Sequence, residues 1–185
     1  MDAGSSATSL EFIHNFKIPK TAKIIDIGGG DGNLVDFLLA EGYENITVLD
    51  ISEIALERAK TRLGEIARKV KWIVANITDF QTDETFDVWH DRAAFHFLTT
   101  NEEIAGYLER ADRSVQGFMT IGTFSDAGPK KLSGLEIKQY SEPELEQQLA
   151  KGFDKIRCIT EDHYTPFGTT QNFLFCSFRK KPHSV

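Results

Sequence analysis

The run from Lys23 to Leu39, KIIDIGGGDGNLVDFLL, limits the possible folds more than any other stretch of the chain. An apolar segment enters a glycine-rich turn and an apolar helical pattern leaves it, the order of events in a βαβ unit. Such a turn presents backbone amides and a helix start to whatever lies beyond the strand end. The spacing is Gly28-x-Gly30-x-Gly32, with Gly29 between the first two, tighter than the dinucleotide fingerprint. The lysine and hydroxyl of a P-loop are missing. Asp26, two residues before the first glycine, adds a carboxylate at the mouth. Negative charge there opposes a pyrophosphate and suits a ligand with a positive centre. The turn therefore predicts a nucleoside-like, phosphate-free ligand, unless it does no more than make a tight corner.

Strand and helix patterns alternate along the remainder. A short helix is expected from Ser9 to Phe16, and a first strand from Ala22 to Ile27. Leu34, Phe37 and Leu38 give the next helix a buried stripe, which Gly42 ends. Further strands are expected at Asn45–Leu49, Val70–Val74, Phe86–Trp89 and Phe118–Phe124. Ser52 can cap the helix after the second of these strands. Thr100 to Glu103 reads as a capping box, and Ser141 to Glu144 combines a cap with an early proline. Ser125 to Gln139 reads as a long loop. Arg157–Glu161 and Asn172–Phe178 are close enough to form a terminal antiparallel hairpin. Helices between strands predict an α/β sandwich, and the hairpin makes a purely parallel sheet unsuitable.

At 185 residues the chain suits one domain, spanning 9–180, with flexible ends at 1–8 and 181–185. The formal net charge of -7 disfavours broad binding to a nucleic-acid backbone. No apolar run approaches membrane-spanning length. Cys158 and Cys176 have no metal spacing, and reduced thiols in a cytoplasmic setting are expected.

Asp50 ends the second expected strand, where a carboxylate can accept two ribose hydroxyls or simply cap the next helix. Asn76 and Ile77 follow the third strand, as an amide and an apolar wall for an adenine, with Asp79 as a competing reader. The stretch WHDRAAFHFL begins at the carboxyl end of the fourth strand, where ligands of open sheets gather. Asp91, Arg92 and His96 are the candidates there for orienting or deprotonating an acceptor. The alternative is a surface Asp91–Arg92 pair and a half-buried histidine. His163, Thr165, Thr169 and Gln171 flank the hairpin turn, and Lys130 and Lys131 form a small basic patch. The histidines have no cage-like spacing, so no metal is expected.

Asp26-x-Gly28-x-Gly30-x-Gly32, Asp50, Asn76-Ile77 and Phe86-Asp87 leading into His90-Asp91-Arg92 together resemble the class I S-adenosylmethionine-dependent methyltransferases. WHDRAAFHFLT, GPKKLSGL and HYTPFGTTQNFLFCSFRK resemble a narrower group of small bacterial-type members. The resemblance implies a Rossmann-like three-layer sandwich with a seven-stranded, mostly parallel sheet in the order 3-2-1-4-5-7-6, strand 7 antiparallel. It implies S-adenosyl-L-methionine as methyl donor and S-adenosyl-L-homocysteine as product. Gly28, Gly29, Gly30 and Gly32 would lie along the methionine and ribose, with Asp26 and His90 nearby. Asp50 and Ile51 would meet the ribose, and Asn76 and Ile77 the adenine. Asp91, His96, Arg92 and His163 would be the catalytic candidates.

Two departures from the family pattern matter, the first for a turn more than for the site. Ser114 to Gly117 replaces the usual Pro-Gly-Gly turn before the fifth strand. Met1 to Thr8 also lacks the aromatic lid of the narrower group, leaving the site uncovered or covered by another element such as Lys130 to Gly134. The expected activity is methyl transfer to a small molecule, with a protein acceptor or a non-catalytic cofactor-binding module as the alternatives.

Overall fold

The computed structural model describes residues 3–92, 94–164 and 170–182, with side chains from Ser6 onward. The chain runs α1 (Ala3–Asn15), β1 (Lys23–Ile27), α2 (Leu34–Ala40), β2 (Asn45–Asp50), α3 (Glu53–Leu63) and β3 (Val70–Val74). It continues through β4 (Phe86–Asp91), α4 (Asn101–Ser114), β5 (Val115–Phe124), β6 (Lys131–Leu132), β7 (Leu135–Glu136), α5 (Glu142–Leu149), β8 (Phe153–Tyr164) and β9 (Thr170–Lys180). Seven strands form one sheet in the order β3-β2-β1-β4-β5-β9-β8. The first five are parallel, and β9 runs antiparallel to both β5 and β8. This is the expected topology, β8 and β9 being the sixth and seventh strands of the sheet.

Period-two alternation sends neighbouring residues to opposite faces of the sheet. On one face Ile25, Ile27, Trp89, Met119 and Ile121 join Ile104, Tyr107 and Ala111 of α4 and Leu145 and Leu149 of α5 in the larger core. On the other, Ile24, Val48 and Val88 pack with Ile13 of α1, Leu34, Val35 and Leu38 of α2, and Leu56 of α3. Both capping boxes form as expected, at Thr100–Glu103 and Ser141–Glu144. Among the described residues no helix is long and apolar enough to cross a membrane.

Several boundaries move. The first helix begins at Ala3 rather than Ser9, because its polar side chains find tertiary partners: Ser6 donates to Asn33 and Thr8 to Glu161. The helix thus takes in Ala3 to Thr8 as well. β4 runs on through His90 and Asp91, which pair with Asp26 and Ile27 of β1. β5 starts at Val115 directly after α4, so Val115 to Gly117 is strand and no turn stands where the family has one. The 125–139 loop contains the small β6–β7 hairpin, turned at Ser133 and Gly134, both with positive φ.

The cysteines correct a further expectation. Cys158 and Cys176 face each other across β8 and β9, with Cα atoms 4.1 Å apart, and are joined in a disulfide rather than held as free thiols. Their separation of 18 residues carries no local pairing signal; only the hairpin register brings them together.

Candidate functional site

The glycine turn is built so that side chains cannot enter it. Gly28 and Gly30 have φ of 70° and 42°, conformations that favour glycine. A Cβ on Gly29 would lie 2.6 Å from Asp26 Oδ2, and one on Gly30 2.8 Å from Asp50 Oδ2. The turn is tied to β2 by the Gly28 N–H, which donates to the Leu49 carbonyl at 2.8 Å. Gly28 and Asp50 border a cavity of about 700 Å³ at the carboxyl ends of the strands. This volume is in the range of small-molecule sites.

Asp50 holds one oxygen on the Ser52 N–H at 2.7 Å. Burial raises its pKa above the ordinary carboxylate value. Asn76 accepts from the Thr78 N–H at 3.0 Å, so its amide N–H₂ is the group left to donate. Asn76, Ile77 and Ile51 line the cavity with Asp50, whereas Asp79 does not. More of the wall comes from Ala94, Phe97 and Leu98, apolar members of the WHDRAAFHFL stretch, and from Leu135 and Glu136 of β7. Leu135 closes the GPKKLSGL stretch, but the hairpin that turns it to the cavity is only two residues on each side and leaves no strand pattern in the sequence.

A second cavity of about 340 Å³ lies on the other side of the glycine turn. Ser6 and Ser9 of α1, Asp26, His90 and Arg92 border it. α1 therefore borders this end of the site, and the β6–β7 hairpin borders the other through Leu135 and Glu136, with none of Lys130 to Gly134 on the wall. Asp26 is not at an open mouth. It is 5% exposed and directed at His90, whose Nδ1 is 2.7 Å from Asp26 Oδ1 and whose Nε2 is 2.8 Å from Ser9 Oγ.

His90 and Asp91 point to opposite faces. Asp91 is fully buried on the α4 side and borders neither cavity. Its Oδ1 accepts from the Ala94 N–H at 2.9 Å and its Oδ2 from the Tyr107 hydroxyl at 2.7 Å. Tyr107 in turn accepts from Trp89 Nε1 at 2.9 Å. Burial pushes the Asp91 pKa up to about 6. With both oxygens engaged, Asp91 anchors the segment that forms the cavity wall.

His96 is 1% exposed, packed between Phe97 and Phe124, and neither ring nitrogen has a partner among the described residues. Burial pulls its pKa down to about 4, so the imidazole is neutral. His163 lies on β8 opposite Gln171, edge-on to Phe173, and borders neither cavity. Thr165 and Thr169 fall outside the described residues. Lys131 pairs with Glu136 at 2.7 Å. Among the described residues no group of three or more His, Cys, Asp or Glu is placed to hold a metal.

A family model described as a methyltransferase domain matches residues 24–116. The malonyl-[acyl-carrier protein] O-methyltransferase of Anoxybacillus flavithermus is 32% identical over 126 residues, 65% of this chain and 48% of that protein. The mouse eEF1A lysine and N-terminal methyltransferase is 31% identical over 94 residues, 50% of this chain and 13% of that protein. The chain thus spans about half, or less, of the length of these curated relatives. Among solved structures, Burkholderia thailandensis 1,6-didemethyltoxoflavin-N1-methyltransferase superposes with a TM-score of 0.76 at 22% identity, covering 98% of this chain and 80% of that one. The N-methyltransferase NodS of Bradyrhizobium japonicum gives 0.77 at 17% identity, covering 96% and 86%. Both were solved with S-adenosylhomocysteine bound, and at these identities they establish the shared fold.

Proposed function

The chain belongs to the methyltransferase-domain family, and on that premise we propose that it transfers a methyl group from S-adenosylmethionine to a nucleophile on a small-molecule acceptor. One observation carries the reading: Gly28 of the glycine turn, Asp50, Asn76 and Ile77 border a single cavity of about 700 Å³. These residues fit an adenosyl group. The Asp50 carboxylate can accept from a ribose diol, the Asn76 amide can donate to a ring nitrogen, and Ile51 and Ile77 supply apolar surfaces for the ring. Gly29 and Gly30 let the backbone of the turn lie directly against the Asp26 and Asp50 carboxylates, where a Cβ would have no room. Arg92 and the Ser9–His90–Asp26 chain border the smaller cavity, and are assigned to the amino-acid end of the donor.

When bound, the donor supplies an electrophilic methyl group on a sulfonium. What the chain contributes is alignment and exclusion of water. Phe97, Leu98 and Leu135 would hold the acceptor against the methyl group. Asp91 acts in this reading as a positioning residue, holding the 94–98 segment through the Ala94 amide. His96, neutral and adjacent to Phe97, is the remaining candidate for base or positioning work, and His163 stands behind it.

A protein acceptor is the second reading. The chain also matches relatives named as lysine and N-terminal methyltransferases of proteins. Calorimetry with S-adenosylmethionine, S-adenosylhomocysteine and NAD tests the pocket, and binding of NAD alone would reject the proposal. Labelled methyl donor, incubated separately with fractionated metabolites and with cell proteins, then identifies the acceptor. Label on a polypeptide would replace the small-molecule reading, and cofactor binding without transfer to either fraction would point to a non-catalytic module.

A further inference from the structure

Charge inside the main cavity narrows the acceptor. Among the described residues bordering it the ionisable side chains are Asp50, Glu103 and Glu136, and none is a lysine, arginine or histidine. Arg92 and His90 face the smaller cavity beyond the glycine turn instead. Glu103 is held in its ionised form, its pKa lowered by hydrogen bonds from Thr100. Lys131 balances Glu136 from outside the cavity wall. Apart from Thr99, the rest of the acceptor side is apolar: Ala94, Phe97, Leu98 and Leu135, the last 60% exposed.

Methyl transfer from a sulfonium moves or cancels a positive charge. With a carboxylate or phenolate acceptor the charges cancel, but apart from the sulfonium itself the anion would face only the carboxylates of Asp50, Glu103 and Glu136 among the described ionisable residues of the wall. With an uncharged nitrogen the positive charge passes onto the acceptor, where nearby carboxylates favour it. Proton inventory points the same way. Asp91 has both oxygens engaged and borders neither cavity, and His96 lies behind Phe97 rather than on the wall. Of the wall carboxylates, Glu103 is held by the Thr99 and Thr100 amides and Glu136 by Lys131, so a hydroxyl or an ammonium would compete with those contacts for a base, whereas a ring nitrogen has its lone pair available.

We propose that the acceptor is an uncharged, planar nitrogen heterocycle with an apolar ring body, methylated on its ring nitrogen and released as a cation. The nitrogen lone pair forms the new N–C bond, the C–S bond breaks with its pair staying on sulfur, and no proton moves. The inference rests on the methyltransferase reading above.

Three two-ring probes of matched shape separate the possibilities: isoquinoline, 2-naphthol and 2-naphthoate. With the full chain and S-adenosylmethionine, product formation is followed by mass spectrometry. Binding of each probe to protein loaded with S-adenosylhomocysteine is followed by saturation-transfer NMR. Isoquinoline should bind at least tenfold more tightly than 2-naphthoate and be the methylated member of the set. Replacing both Glu103→Gln and Glu136→Gln should narrow that ratio several-fold while leaving S-adenosylhomocysteine affinity within about twofold. Equal binding, a preference for 2-naphthoate, methylation of 2-naphthol in place of isoquinoline, or binding of none of the three overturns the proposal. Failure of S-adenosylhomocysteine itself to bind removes the methyltransferase reading, and this inference with it.

Discussion

Asp26 and His90 occupy the same register position on adjacent parallel strands, and their side chains meet at 2.7 Å beneath α1. Shared register sends both to one face, so the contact follows from strand pairing. His90 bridges the two elements, its Nδ1 on Asp26 and its Nε2 2.8 Å from the Ser9 hydroxyl. A carboxylate at the end of β1 thereby holds a helix that begins 20 residues before β1.

Breaking that chain should loosen α1. Asp26→Ala leaves a buried imidazole N–H without a partner and should cost about 2 kcal/mol, with Ser9→Ala nearer 1 kcal/mol. Urea titration measures both. Ser9→Ala should also weaken S-adenosylhomocysteine several-fold and leave 5′-methylthioadenosine, which lacks the amino-acid end, unaffected. Equal losses for the two ligands would place Ser9 outside the amino-acid subsite.

Gly30→Ala should abolish the ribose contact. The added Cβ would stand 2.8 Å from Asp50 Oδ2 at a φ of 42°, so the turn or the carboxylate must move. Affinity for S-adenosylhomocysteine should fall by about 10–100-fold, equivalent to about 1.4–2.8 kcal/mol. Asp50→Ala should fall by a similar factor. Calorimetry showing unchanged affinity in both variants would remove Asp50 from the site.

Sequence alone carried the parts of this structure that depend on local pattern. Ser52, Thr100 and Ser141 cap the helices expected of them, and Val70–Val74 is a strand with the expected ends. What it could not carry depends on which way a side chain faces across the sheet. His90, Asp91 and His96 read as one dense cluster. Alternation sends His90 to α1 and Asp91 to α4, and the turn after β4 buries His96 between two phenylalanines. Ser9 comes to the smaller cavity through a tertiary contact that no local motif announces, and Leu135, at the end of the GPKKLSGL stretch, reaches the larger one only through the β6–β7 hairpin.

The Cys158–Cys176 bond should contribute to stability and not to ligand binding. It closes a loop of 18 residues between β8 and β9, for which the chain-entropy estimate is about 3 kcal/mol. Cys158→Ser with Cys176→Ser should lower the urea midpoint accordingly, and S-adenosylhomocysteine affinity should stay within about twofold. Alkylation of denatured, unreduced protein should find no free thiol. Two labelled thiols under those conditions would mean that the bond does not form in solution.

Two buried groups should give stability opposite dependences on pH. Burial raises Asp91 from 3.8 to about 6, so the folded state holds this proton more tightly than the unfolded state. Its stabilising contribution is fully present below pH 3.8 and lost as pH rises through about 6. Burial lowers His96 from 6.5 to about 4, so its contribution is fully present above pH 6.5 and lost as pH falls through about 4. Each shift corresponds to about 3 kcal/mol, and between these limits the two slopes oppose each other. Wild-type protein should therefore show little net dependence from this pair. Asp91→Asn should expose the His96 slope, with stability falling on acidification from pH 6.5 to 4. His96→Leu, which suits a site between two aromatic rings, should expose the reverse slope, with stability falling as pH rises from about 4 to about 6. Urea midpoints at half-unit pH steps measure all three proteins. Variant profiles parallel to the wild type would show that neither group changes its proton affinity on folding.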